Sequence, residues 1–409
     1  MKTKYIILLL IFIDLTPLSA QSWLEQGDAY AAEEDYASAA RMYSQCMKIN
    51  NNCAFALFNL IYKGKIESQY TNELFDILLP IAKLNDPVAA NNIGILYYDG
   101  IGVEKNEQEA YKWLNKSALN KCKIAHFNIK DLFEFQEGFC CINHQEKYGF
   151  INSNGDMVIK PQFDDASCFS EGLAYVEKNG KYGYIDKTGK LVIPYKFDDA
   201  NDFSEGLAVV EIDEEYGYID KSGKLVIPCK YDYAFDFSED LARVKKDDKI
   251  GFINKSGKLI IPVKFDNAND FSEGLAKVEK DGKYGYIDKN GKIAIPMASF
   301  PCGDFHEGLA AYCLNGKWGF IDKKGSYVID FRYEHVGDFH EGLAWVKCGK
   351  NENNKYRYID TTGKPMICYP ACLDGVSDFE KGKALVKQNE SKFYVNKKGE
   401  TIEFYESPD

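Results

Sequence analysis

The chain has 409 residues, a formal charge of −12, 45% hydrophobic residues and 14% aromatic residues. These proportions exclude a disordered polymer. An evenly acidic chain also lacks the basic face that nucleic acid demands, so no nucleic-acid partner is expected.

Residues 1–20 read as an export leader. Lys2 and Lys4 give a basic start, Tyr5 to Ile13 a short apolar core, and Leu18-Ser19-Ala20 a small-residue end. Cleavage is expected after Ala20. The apolar run is short for a membrane span, and Asp14 interrupts it. No Cys follows the small residues, which argues against a lipid anchor. The mature protein is expected to be exported and not membrane-spanning: periplasmic, associated with the cell envelope, or secreted. Of its twelve cysteines none forms a CxxC pair. Most read as buried small hydrophobes, with a few bridges allowed outside the cytoplasm.

Residues 21–133 carry a helical period. Ser22-Trp23-Leu24-Glu25 has the spacing of a capping box. Trp23, Gly27 and Tyr30, followed by Ala39 and Tyr43, alternate small and large residues as two interlocking antiparallel helices do. This pattern resembles a tetratricopeptide repeat. A weaker helix pair runs through Ala54 to Tyr62 and Glu73 to Leu84. A third begins at Asp86-Pro87, an N-cap followed by a first-turn proline. There Ala90, Gly94 and Tyr97 face inward, Gly100 and Gly102 release the chain, and Ala110, Trp113, Leu114 and Ala118 return. This segment is similar to a Sel1-like repeat, a resemblance that implies a right-handed helical solenoid presenting a concave face to protein partners. A last helix is expected over 121–133.

From residue 134 to the end the period changes to two. The second copy shows the unit. Leu173 to Val176 alternates, Lys178-Asn179-Gly180-Lys181 turns, Tyr182 to Asp186 is a second strand, and Gly189 turns again. Leu191 to Ile193 is a third strand, ended by Pro194. This reads as a three-stranded antiparallel meander. Its core glycine recurs at Gly149, Gly183, Gly217, Gly251, Gly285 and Gly319, always 34 residues on. The second-turn glycine recurs in eight copies, at Gly155, Gly189, Gly223, Gly257, Gly291, Gly325, Gly363 and Gly399. Between copies, Asp202-Phe203-Ser204-Glu205-Gly206 has capping-box spacing and suggests a short helical turn with Phe203 in the core. Arg357 and Phe393 replace the core glycine in the last two copies, as degenerate ends of an array do.

Lys317-Trp318-Gly319-Phe320-Ile321-Asp322 and its relatives resemble WG repeats, a mainly bacterial family. That resemblance implies a repeat array with no established catalytic residues. The fold class expected is α+β multidomain. An N-terminal helical tetratricopeptide/Sel1-like solenoid precedes an all-β array of three-stranded 34-residue units, either an open β-solenoid or propeller-like.

No P-loop, GxSxG, HExxH or Rossmann glycine pattern is present. His306 and His340 share a column where other copies have serine, and read as solvated replacements rather than metal ligands. Asp198, Asp202 and Glu205 lack the spacing of a calcium loop. No cofactor and no metal are expected. One column, Tyr148, Tyr182, Tyr216, Tyr284, Trp318 and Tyr356, forms an aromatic ladder with Ile250 as its exception. Such rings stack sugars in glycan- or cell-wall-binding modules, or serve as cross-strand packing. The leading expectation is an exported, non-enzymatic interaction or scaffold protein whose helical repeats dock a protein partner. The alternative is glycan or cell-wall binding through the ladder.

Overall fold

The computed structural model describes residues 20–409 except 67–69, 349–355, 368–372, 374, 389–390 and 406–409. The leader therefore lies outside the described residues, as do Cys368 and Cys372. The chain divides into two compact units between Phe133 and Glu134. None of the described helices is long and apolar enough to cross a membrane.

The first unit contains α1 (Ala20–Ala32), α2 (Tyr36–Cys46), α3 (Asn51–Tyr62), α4 (Thr71–Lys83), α5 (Pro87–Asp99), α6 (Glu107–Leu119) and α7 (Lys123–Leu132). Asp86 caps α5, its carboxylate accepting the Ala89 N–H at 2.8 Å. Ala90, Ala110 and Leu114 are fully buried, and α5 and α6 pack closely through them. The expected capping box at Ser22 does not form. α1 already runs from Ala20, so Ser22 is a helical residue and cannot precede the first turn. A Cys46–Cys53 disulfide ties the end of α2 to the start of α3.

Among its described residues the second unit forms eight antiparallel sheets, the first of three strands and the others of four. In the second copy the order across the sheet is Asp165–Ala166, Leu173–Lys178, Lys181–Asp186, Leu191–Phe197. The last three are the expected meander. The two-residue first strand is an addition, pairing Ala166 with Val176. The second-turn glycine has two reasons to recur. Gly189 sits at φ +81°, and a Cβ there would lie 3.2 Å from Ile159 of the preceding sheet.

The core glycine answers a different need. Tyr216 pairs with Tyr231 and Tyr218 with Ile227, so the outer strand bulges opposite Gly217. A Cβ on Gly217 would stand 2.6 Å from the Ile227 carbonyl oxygen. Where the last copy has Phe393 the bulge is absent at that position, and Phe393 pairs directly with Phe404.

The link between copies is not helical. Ser204 and Leu207 exchange backbone hydrogen bonds, closing a tight turn in which Glu205 and Gly206 both have positive φ (52° and 89°). Asp202 and Glu205 thus cap no helix. A two-residue reverse turn between paired residues leaves no helical amide for either carboxylate to cap. Phe203 is nonetheless buried, as expected.

The core lies between successive sheets. Tyr184, Ile193 and Phe197 of one sheet cluster with Phe203, Val210 and Ile219 of the next. Along the array one aromatic pair repeats this junction: Phe150–Phe169, Tyr184–Phe203, Tyr218–Phe237, Phe252–Phe271, Tyr286–Phe305, Phe320–Phe339 and Tyr358–Phe379. Their ring centroids are 4.8–5.1 Å apart. Edge-to-face pairs of this kind add about 1 kcal/mol each beyond the area they bury.

Gly217→Ala should destabilise the array by about 2 kcal/mol, because the new methyl meets backbone that cannot move without losing the bulge. Urea unfolding followed by tyrosine fluorescence measures this; an unchanged midpoint would show that the close approach is not the reason for the glycine.

Candidate functional site

Each residue of the aromatic ladder stands on the third strand of its sheet, or on the second in the three-stranded first sheet. Tyr148, Tyr182, Tyr216, Tyr284, Trp318 and Tyr356 are all half-buried, each packed against the core of its own junction. Ile250, in the same column, is buried. The Tyr182 ring meets Tyr175 edge-on at 5.7 Å, and its hydroxyl lies 3.5 Å from an Asp165 carboxylate oxygen. Burial, then the Asp165 charge, pushes the Tyr182 hydroxyl up to about 12. Tyr216 stacks at a tilt on Tyr233, and Tyr356 packs on Trp345 under Lys347. The ladder is therefore a row of half-covered rings, with a carboxylate beside Tyr182.

Two further sets of side chains come together that periodicity alone did not reveal. The first is a clamp across each junction. The Glu171 carboxylate accepts the Gly206 N–H of the next sheet at 3.0 Å and meets Lys221 Nζ, also of that sheet, at 3.0 Å. The same pair of contacts recurs for Glu137 with Gly172 and Lys187, Glu205 with Asp240 and Lys255, Glu239 with Gly274 and Lys289, Glu273 with Gly308 and Lys323, and Glu341 with Gly382 and Lys397. Glu307 keeps the amide of Gly342, but Thr361 stands in the lysine column. The positive φ of each of these glutamates projects its side chain out of the turn toward the neighbouring sheet.

The second set is a polar groove where the fourth, fifth and sixth copies meet. It is lined by Ser238, Arg243, Asn269, Asp270, Phe271, Ser272, Asp304 and His306, and its volume is about 410 Å³. Arg243 bonds Asp270 through two nitrogens, at 2.6 and 3.0 Å, and lies 3.8 Å over the Phe235 ring. Asp270 belongs to a column of link aspartates, several of them met by a polar residue of the preceding copy. Asn201 donates to Asp236, Asn269 to Asp304, and His306 and His340 face Asp338 and Asp378 at 3.7 and 3.9 Å. Burial pushes the Asp202, Asp236 and Asp338 carboxyls above the usual range.

His306 and His340 stay partly solvated, with side chains 36% and 40% exposed, and in addition face these aspartates. In the serine copies, Ser170, Ser204, Ser238 and Ser272 donate to the carbonyls of Phe203, Phe237, Phe271 and Phe305 one sheet on, at 2.7–3.0 Å. The histidines stand at that junction with their rings 5.4 Å apart, and face the next copy's aspartate. Among the described residues no group of three or more His, Cys, Asp or Glu is placed to hold a metal ion.

The clamp has a pH signature. Burial pushes Glu273 up, but its bonds to Lys323 and the Gly308 amide more than offset this and leave it below the ordinary range. A lowered folded-state value contributes stability that is present above about pH 4.3 and lost as pH falls through the lowered value. Glu273→Gln should cost about 1 kcal/mol at neutral pH and nothing in acid, and Glu307→Gln less, because Glu307 has no lysine. Urea midpoints at the two pH values test this; equal effects of the two substitutions would remove the lysine from the clamp.

The model of the WG containing repeat family matches residues 148–182, 182–216, 216–249, 250–284, 284–318, 318–351 and 356–391. The Sel1 repeat model matches residues 87–122. No curated protein matches the chain. Among solved structures it is similar to Hsv2p of Kluyveromyces lactis, at 11% identity over 57% of this chain and 92% of that one, with a TM-score of 0.33. It is similar also to a eukaryotic initiation factor, at 11% identity over 66% of this chain and 73% of that one, with a TM-score of 0.36. Likeness that slight carries no argument. The repeat matches, by contrast, cover more than half of the 409 residues. The chain belongs to the WG-repeat family and carries a Sel1 repeat in its helical unit.

Proposed function

We propose that this WG-repeat protein is an exported, non-enzymatic scaffold whose Sel1-like helical unit docks a protein partner and whose array supplies a long surface. The observation that carries the reading is the clamp. The glutamates that recur in seven copies each accept an amide of the next copy, and all but Glu307 also meet its lysine, so the repeated charge holds the array together. Sel1 repeats lend the helical unit a capacity for protein interaction. Export is supported by the Cys46–Cys53 disulfide, a bond that persists in oxidising compartments and is rare in reducing ones.

Capture with the full chain from the source organism's envelope fraction should recover a protein that, once purified, binds saturably. The variant Tyr30→Ala with Tyr62→Ala, which removes two exposed rings of the helical unit, should weaken that binding about tenfold or more. Absence of saturable binding to any envelope protein would contradict the scaffold reading.

A second reading rests on the half-covered rings with a carboxylate close by, as at Tyr182 and Asp165. A ring face with an adjacent hydrogen-bond acceptor suits a sugar. Retention on insoluble cell-wall polysaccharide, lost in Trp318→Ala, would support glycan binding; retention that survives the substitution would sink it.

A further inference from the structure

Edge strands expose backbone groups and side chains that a folded array does not itself cover. Among the described residues, every large apolar side chain exposed in the array, Tyr233 excepted, stands on the last strand of its sheet, at its first or second residue. In four consecutive copies these are Leu191 and Val192, Leu225 and Val226, Leu259, and Ile293, between 37% and 54% exposed. Each group follows an exposed lysine: Lys190, Lys224, Lys258 or Lys292. None of these four ammonium groups forms an ion pair among the described residues. Asp186, four residues before Lys190, accepts the Thr188 N–H at 2.9 Å, the Thr188 hydroxyl at 2.6 Å and the Lys190 N–H at 3.1 Å, and keeps its charge within reach of Lys190.

Lys-Leu-Val-Ile-Pro, Lys-Leu-Val-Ile-Pro, Lys-Leu-Ile-Ile-Pro and Lys-Ile-Ala-Ile-Pro thus place cation beside apolar surface in four consecutive copies, with no acidic residue inside any of the four pentapeptides. The pattern stops on both sides. Asp156 takes the lysine position in the first copy, and Ser326 and Asp330 take the lysine and proline positions in the sixth.

We propose that this stripe is a contact for a membrane surface carrying anionic lipid. The lysines would meet headgroups while Leu191, Leu225, Leu259 and Ile293 enter the headgroup boundary. Neither signal alone anchors a protein stably, and together they do. A protein partner fits the stripe less well. Addition of a partner strand is blocked by Pro194, Pro228, Pro262 and Pro296, which offer no N–H, and an edge offers no groove for a partner's side chains.

The test is co-sedimentation of the full chain with vesicles of phosphatidylcholine, with and without phosphatidylglycerol. Binding to the anionic vesicles, weakened by salt, is expected. The variant K190Q/K224Q/K258Q/K292Q should bind roughly a thousandfold more weakly, and the variant L191S/L225S/L259S/I293S should also lose binding. Thermal unfolding like that of the parent chain confirms that each variant is folded, and the apolar leader is common to all. No binding to anionic vesicles, or binding that both variants retain, would overturn the proposal. So would binding through the stripe to a soluble acidic peptide without binding to vesicles, which would assign the stripe to a protein partner.

Discussion

A small sheet in this array cannot bury its own face. The aromatic that would fill its core, Tyr184 or Phe252, is covered only when the next copy supplies Phe203 or Phe271. Burial of these rings is non-directional and would tolerate sliding of one sheet over another. The glutamate clamp and the serine-to-carbonyl bond supply direction at the same junction, because an amide and a lysine of the next sheet meet one carboxylate in a single arrangement. Apolar area gives the junction its strength and the polar contacts its register.

The copies at the two ends follow from that division of labour. A first copy has no predecessor whose carboxylate a lysine could meet, and Ser153 stands in the lysine column. In the eighth copy Lys381 stands in the glutamate column. Each change removes one half of the clamp. They also leave the two ends unable to join each other through this contact, since Lys381 and the Gly138 amide are both donors. Loss of the core glycine at Phe393 belongs to the same relaxation, and regular pairing with Phe404 replaces the bulge.

Much of this was legible in the sequence because its causes are local. A turn glycine such as Gly189, the cap and proline at Asp86-Pro87, and the alternation of Leu173 to Val176 each act within a few residues. The clamp was not legible for the opposite reason. Glu205 sits three residues after Asp202, so local spacing suggests a capping box, whereas its partners Asp240 and Lys255 lie one full copy or more away. The column of His306 and His340 shows the same limit: spacing gives a polar residue in a solvated turn, and only the fold places Asp338 beside it. Ser22 shows a different failure, since a capping motif names a helix start only where no helix already runs through it. For the aromatic ladder the sequence showed the column but not its depth, which depends on how far each ring is covered by the following sheet.

Taken together, the fixed positions of the repeat serve junctions, and the positions left to recognise anything are the variable ones. These are the groove at Arg243, the half-covered rings and the lysine-apolar edge. That conclusion depends on the clamp being formed in solution. Amide hydrogen exchange reads it directly, since Gly172, Gly206, Gly274 and Gly308 lie in turns and their N–H groups are bonded only to a glutamate of the preceding copy. Gly138 occupies the same turn of the first copy, with no preceding copy to supply a clamping glutamate. Exchange slowed at the four clamped glycines and fast at Gly138 is the expected result; equally fast exchange at all five would contradict a clamp between copies.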